Sequence, residues 1–123
     1  MPAFVKNLTF DCVHALRVAR FWAAALGSDV DEGSTSERAY VEAPAWGGPN
    51  IWFRGARDPK AAPNRLHLDL RALTTMAEEV DRLVALGATV VERHDDITVL
   101  HDPEGNEFCV EPGPGDLHQA SGR

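Results

Sequence analysis

A chain of 123 residues, 44% hydrophobic and 25% charged, carries enough apolar material for one compact core and excludes disorder as its default state. Its formal net charge of -7 and pI near 5.1 argue against partners such as nucleic acid or anionic lipid, because an acidic surface repels polyanions, and they suit neutral or cationic small ligands. No apolar run is long enough to span a bilayer, and the opening Met1-Pro2-Ala3-Phe4-Val5-Lys6-Asn7 lacks the apolar stretch of a secretory signal, so the expected compartment is the cytoplasm.

The first element is a half-buried strand, with Leu8 and Phe10 alternating against Asn7, Thr9 and Asp11. A helix follows over about His14 to Leu26, where Ala15, Val18, Trp22 and Ala25 recur at helical spacing and Gly27 supplies the left-handed stop. Three short β-rich runs come next, Asp29 to Glu32, Arg38 to Glu42 and Asn50 to Arg54. Residues 55–64 contain Pro59 and Pro63 without periodicity and read as a linker. The order then repeats. Leu66, Leu68 and Leu70 alternate with His67 and Asp69, a helix covers about Leu73 to Leu86 with Met76, Val80, Leu83 and Val84 on one face, and Gly87 stops it. Within it, Thr75-Met76-Ala77-Glu78 has the form of a capping box.

Three more strands are expected at Thr89 to Arg93, Thr98 to His101 and Glu107 to Glu111. The last two are joined through Asp102-Pro103-Glu104-Gly105-Asn106, where Pro103 fixes φ and Gly105 admits a positive one. An offset of 60 residues superposes Ala25-Leu26-Gly27 on Ala85-Leu86-Gly87 and Asn7-Leu8 on His67-Leu68, so the chain is a tandem repeat. The expected organisation is a single α+β domain over residues 1–111, made of two βαβββ modules at about 4–54 and 65–111, with a flexible tail at 112–123. Cys12 and Cys109 lack Cys-x-x-Cys spacing and are expected as free thiols rather than a disulfide or a zinc knuckle.

With that order laid out, the chain resembles the vicinal oxygen chelate superfamily of glyoxalases, extradiol dioxygenases and bleomycin- and fosfomycin-resistance proteins. The resemblance rests on Phe21-Trp22-Ala23-Ala24-Ala25-Leu26-Gly27, Asn64-Arg65-Leu66-His67-Leu68-Asp69-Leu70 and Asp102-Pro103-Glu104-Gly105-Asn106-Glu107-Phe108, in this order and spacing. It implies curved mixed sheets forming a cup with helices outside, and a homodimer. It also implies four inward side chains, one from the first and one from the last strand of each module, which hold a metal in the metal-using members. Carried over, those places are Asn7, Trp52, His67 and Cys109. Imidazole and thiolate are metal ligands, whereas an amide is a poor one and an indole has no accessible lone pair. The resemblance therefore implies no cofactor and no working glyoxalase I centre, with a divalent metal as the alternative.

His67 and Asp69 lie opposite the leucines and are the candidates for acid-base work; the plain alternative is a hydrogen-bonded structural histidine. Asn7, Thr9 and Asp11 share one parity, with Asp11 a candidate anchor for a cationic group or merely a solvated carboxylate. Cys109 shares parity with Glu107 and Glu111 and is a candidate cavity residue, although buried cysteine more commonly packs. Those two glutamates offer carboxylates to a hard-metal site beside His67. Trp22 reads as core, whereas Trp46 in a proline- and glycine-rich loop and Trp52 on a strand are candidate stacking walls for a flat or cationic ligand. His14, His94 and His118 read as surface or terminal residues, and His101 has no assigned partner.

Three functions follow. The first is a bleomycin-resistance-like module binding a small aromatic or cationic molecule, with Trp46 and Trp52 stacking and Asp11 and Asp69 as counter-charges. The second is a metal-dependent lyase, isomerase or dioxygenase with recruited ligands, and the third is metal-free acid-base chemistry by His67 with Asp69 or Cys109. The binding module is the expectation, with the metal-dependent enzyme as its alternative.

Overall fold

The structure is a computed structural model that describes residues 2–43, 47–56 and 58–116. The chain divides into two compact units, Met1–Ala61 and Ala62–Arg123, with the division inside the expected linker.

In the first unit β1 (Asn7–Cys12), α1 (Ala15–Leu26), β2 (Arg38–Val41) and β3 (Asn50–Gly55) form a three-stranded mixed sheet with one helix. The strand order is β1-β3-β2, β1 parallel and β2 antiparallel to β3. His14 is more than a surface residue: it sits at the N-cap of α1 in extended geometry and accepts the Arg17 N–H on Nδ1 at 3.2 Å. This satisfies one of the donors that a first helical turn leaves unpaired. Gly27, at φ 68, ends the helix as expected, and the Ser28 N–H returns to the Ala23 carbonyl at 2.8 Å. Val18, Trp22 and Ala25 are buried with Phe53, Ala39, Val41 and Ile51 from the sheet. The Trp22 ring meets Phe10 and Phe21 edge-on, with centroids at 6.2 and 5.3 Å.

The expected strand at Asp29 to Glu32 is reduced to a single bridge, Val30 with Val41. The chain turns immediately afterwards, because Asp31 Oδ2 accepts the Gly33 N–H at 3.1 Å and the Asp31 carbonyl accepts the Ser34 N–H at 3.0 Å. An aspartate that hydrogen-bonds its own following backbone stops a ladder from extending.

In the second unit β4 (Leu68–Arg71), α2 (Met76–Leu86), β5 (Thr89–Arg93), β6 (Thr98–His101) and β7 (Glu107–Glu111) form a four-stranded sheet ordered β4-β7-β6-β5. The first strand begins at Leu68, later than the leucine alternation suggests, and Leu66 is 65% exposed. Thr75 caps α2 by accepting the Glu78 N–H on Oγ1 at 3.1 Å, as its sequence motif requires. Val80 and Leu83 are the buried residues of α2, whereas Val84 is 43% exposed and lies off the seam. The two cysteines are free and buried.

The first residues of the segment expected as a tail fold back onto α2. Asp116 Oδ2 accepts the N–H of Met76 at 2.7 Å and of Gly113 at 3.0 Å, and Gly115 N–H donates to the Thr74 carbonyl at 2.9 Å. A carboxylate at the first turn of a helix meets both unpaired donors and the positive end of the helix dipole. A Cβ at Gly113 would fall on the carbonyl oxygens of Ala72 and Thr74, which are backbone and cannot step aside. Gly113→Ala is accordingly expected to destabilise the protein by about 1–3 kcal/mol, read as a lowered urea midpoint at unchanged slope.

Trp46, His118 and residues 117–123 of the expected tail lie outside the described residues. No helix among the described residues is long and apolar enough to cross a membrane.

Candidate functional site

Strand parity gives the first unit a face that α1 does not cover. Cα pairing places Asn7 beside Asn50, Thr9 beside Trp52, Asp11 beside Arg54, and Tyr40 and Arg38 on the other flank of Trp52 and Arg54. Four of these side chains are already engaged with one another. Asn7 Oδ1 accepts from Asn50 Nδ2 at 3.1 Å, and Asp11 Oδ1 takes Arg54 Nε at 2.9 Å and Nη2 at 2.8 Å. The expectation that Asp11 supplies counter-charge to a ligand must therefore allow for Arg54, which neutralises it. That pair is exposed on both sides, so it orders the edge of the face and adds little stability.

Trp52 is half-buried and packs on Tyr40, ring centroids 4.4 Å apart, with the Arg38 guanidinium 5.2 Å from the Trp52 centroid. This stack borders a cavity of about 400 Å³ lined by Asp31, Ser34, Thr35, Glu37 and Arg38 together with Tyr40 and Trp52. Tyr40 and Arg38 were not among the sequence candidates. The alternation Arg38-Ala39-Tyr40-Val41 carried the signal, since buried Ala39 and Val41 leave Arg38 and Tyr40 on the other face.

The second unit repeats this arrangement with different chemistry. Asp69 pairs with Cys109 as Thr9 pairs with Trp52, each on a first strand parallel to the last strand of its unit. Donor atoms of His67, Asp69 and Cys109 all lie within 4.8 Å of one another, and His67 Nδ1 is 3.4 Å from Asp69 Oδ1. Burial pushes the Cys109 thiol up from its ordinary value, and the neighbouring Asp69 and Glu111 carboxylates push it further in the same direction. A thiol held protonated is a weak nucleophile. Glu111 is exposed at the end of β7, outside this group of donors. Glu107, offered by the sequence as a spare ligand, instead accepts the Asn64 N–H on Oε2 at 2.7 Å. His101 pairs with Glu107 and Thr89 in register, and His94 Nε2 lies 3.3 Å from Glu92 Oε1.

Such modules, each a strand, a helix and an antiparallel strand set closed by a parallel pairing, define the fold class. The model of the glyoxalase-like domain family matches residues 7–111, and the chain belongs to that family, within the vicinal oxygen chelate superfamily. No curated protein matches the chain. Among solved structures, it is similar to a glyoxalase/bleomycin resistance protein/dioxygenase family enzyme from Burkholderia phytofirmans PsJN, at 17% identity and TM-score 0.71 over 88% of this chain and 97% of that one. It is also similar to a genomically encoded fosfomycin resistance protein, FosX, from Listeria monocytogenes, solved with Mn(II) and dihydroxypropylphosphonic acid, at 15% identity and TM-score 0.70 over 98% and 99%. A third, lactoylglutathione lyase from Agrobacterium tumefaciens, is 16% identical with TM-score 0.61 over 94% and 96%. At these identities the likeness concerns the fold.

The metal that some members of the superfamily use can be tested against the residues present. In the first unit the two places expected from the resemblance hold Asn7, whose amide oxygen accepts from Asn50, and Trp52, whose ring packs against Tyr40 and Arg38. An amide oxygen is a poor ligand and an indole has no accessible lone pair, so the superfamily's ligand set does not fit there.

Proposed function

We propose that this glyoxalase-like protein binds a small aromatic or cationic molecule against the Trp52–Tyr40 wall of its first unit, without the superfamily's usual metal centre. The observation that carries this reading is the 400 Å³ cavity with an aromatic pair on one side and the Asp31 and Glu37 carboxylates among its other residues. A flat ring stacks on Trp52 through dispersion and apolar burial, and a cation is drawn to the ring face by its quadrupole. The Arg38 guanidinium already occupies such a position over Trp52. A flat cationic ligand would take that place, while Asp31 and Glu37 balance its charge. Asp69, the second counter-charge proposed from sequence, lies beside His67 in the second unit.

The test is an equilibrium titration with N-methylquinolinium and tetramethylammonium salts, followed by tryptophan fluorescence and checked by calorimetry. Trp52→Ala is expected to weaken binding of the flat cation about tenfold, equivalent to about 1.4 kcal/mol, with the probe recovered unchanged. Affinity that is the same in the variant would remove Trp52 from the site and end this reading.

Metal-dependent lyase, isomerase or dioxygenase chemistry is the second reading. The convergence of His67, Asp69 and Cys109 favours it, because such chemistry needs a cation held by donors outside the family's complete set of places.

A further inference from the structure

We propose that His67, Asp69 and Cys109 form a three-donor site for a thiophilic divalent cation of the zinc type, built from the second unit alone. This rests on the second reading and deepens it by naming the donors and the class of cation. His67 and Cys109 stand at two of the four places that the resemblance gives to the superfamily's ligands, whereas Asp69 stands at none of them and supplies the third donor from this chain's own sequence.

The sheet explains why three separate residues meet. Asp69 and Cys109 are direct partners across the parallel β4–β7 pair, and neighbouring strands hold their residues about 4.8 Å apart. His67 lies one residue before the strand, and its Nδ1 comes to 3.4 Å from Asp69 Oδ1. Backbone hydrogen bonding thus sets the spacing of the cluster, while the side chains need only turn inward. Bonds of about 2.0–2.3 Å at tetrahedral angles separate neighbouring donors by roughly 3.3–3.8 Å. The donors here already lie within 4.8 Å, so small rotamer adjustments close the difference.

The donor types decide which cation. An imidazole nitrogen, a carboxylate oxygen and a thiolate sulfur suit zinc, cobalt and cadmium, whereas magnesium and calcium prefer oxygen alone. The surroundings agree with a positive occupant: Cys109 is 8% exposed, with Asp69 as its partner across the strand pair and Glu111 two residues along β7. When a divalent ion binds, the thiol proton leaves to solvent as the sulfur–metal bond forms. Three protein donors leave a fourth position for water or an oxygen of a bound molecule. Its counterpart in the first unit has Asn7, Thr9 and Trp52 in the corresponding register and no such donor set.

Cobalt(II) is the probe. The full chain, purified without an affinity tag and stripped of metal, is titrated with cobalt chloride and followed by absorption. One equivalent is expected to bind with intense visible bands of a tetrahedral ion and a near-ultraviolet sulfur-to-cobalt charge-transfer band, and one equivalent of zinc should displace it. Cys109→Ser should abolish the charge-transfer band and weaken binding at least about 100-fold, and Asp69→Asn at least about tenfold. Should a variant fail to fold, the intact protein still decides: zinc should slow alkylation of Cys109 more than tenfold and leave Cys12 unchanged. Absence of the charge-transfer band, or equal alkylation of Cys109 with and without zinc, overturns the proposal. The cobalt signal reads the metal site whatever the organic probes do at Trp52.

Discussion

Trp22→Ala is expected to cost the first unit about 3–5 kcal/mol, the largest effect of any single truncation of its core. Trp22 is 1% exposed, and its ring lies edge-on to Phe10 and Phe21, joining α1 to β1. Phe10 in turn meets Phe53 of β3 at 5.4 Å. Removal of the indole leaves a void that neighbouring backbone cannot close, so the loss of transfer energy and the cavity add together. A large fall in the urea midpoint should be seen, with cysteine reactivity at buried Cys12 rising in parallel. A shift below about 1 kcal/mol would mean that the helix reseats on the sheet without its tryptophan.

The second large effect is expected at the turn between β6 and β7. Asp102 is 3% exposed, and its Oδ1 accepts the N–H groups of Glu104 at 2.8 Å and Asn106 at 3.0 Å, while Oδ2 accepts Asn106 Nδ2 at 2.8 Å. The same turn holds the entry to the second unit, since Asn64 Nδ2 donates to Asn106 Oδ1 at 3.1 Å. Asp102→Ala deletes both carboxylate oxygens and takes away these partners of the Glu104 and Asn106 donors, at an expected cost of about 2–4 kcal/mol. Asp102→Asn keeps the shape and should lose less. Denaturation curves of the two variants separate the lost hydrogen bonds from the lost volume; equal stability of Asp102→Ala and the parent protein would refute the role of Asp102 in holding this turn.

Local patterns explain which elements could be read directly. The three closing strands of the second unit begin and end where alternation and turn residues placed them, because Pro103 and Gly105 act on their own backbone and need no distant partner. The same holds for α1, bounded by His14 and Gly27, and for the end of α2 at Gly87, whereas α2 starts only at Met76, after its Thr75 cap, and leaves Leu73 outside the helix and exposed. Asp29 to Glu32 misled because valine and alternation were visible there, whereas the side-chain turn of Asp31 is a competing local bond. Leu66 misled for another reason: alternation marks a face but not where pairing starts.

The candidate sites divide along the same line. Parity placed Trp52 with Asn7, Thr9 and Asp11, and His67 with Asp69, since side chains two apart on a strand share a face whatever surrounds them. The engagement of Asp11 by Arg54, of Asn7 by Asn50 and of Glu107 by Asn64 joins residues some forty positions apart, and no spacing rule reaches that far. Cys109 beside Asp69 belongs to the same kind.

The amino-acid sequence by itself thus determined the two-module α+β plan, its helix ends and most of its strands, all consequences of short-range dihedral preference and period. Only the tertiary structure decided which polar groups are spent on one another and which converge, because the register between parallel strands depends on the packing of the whole sheet.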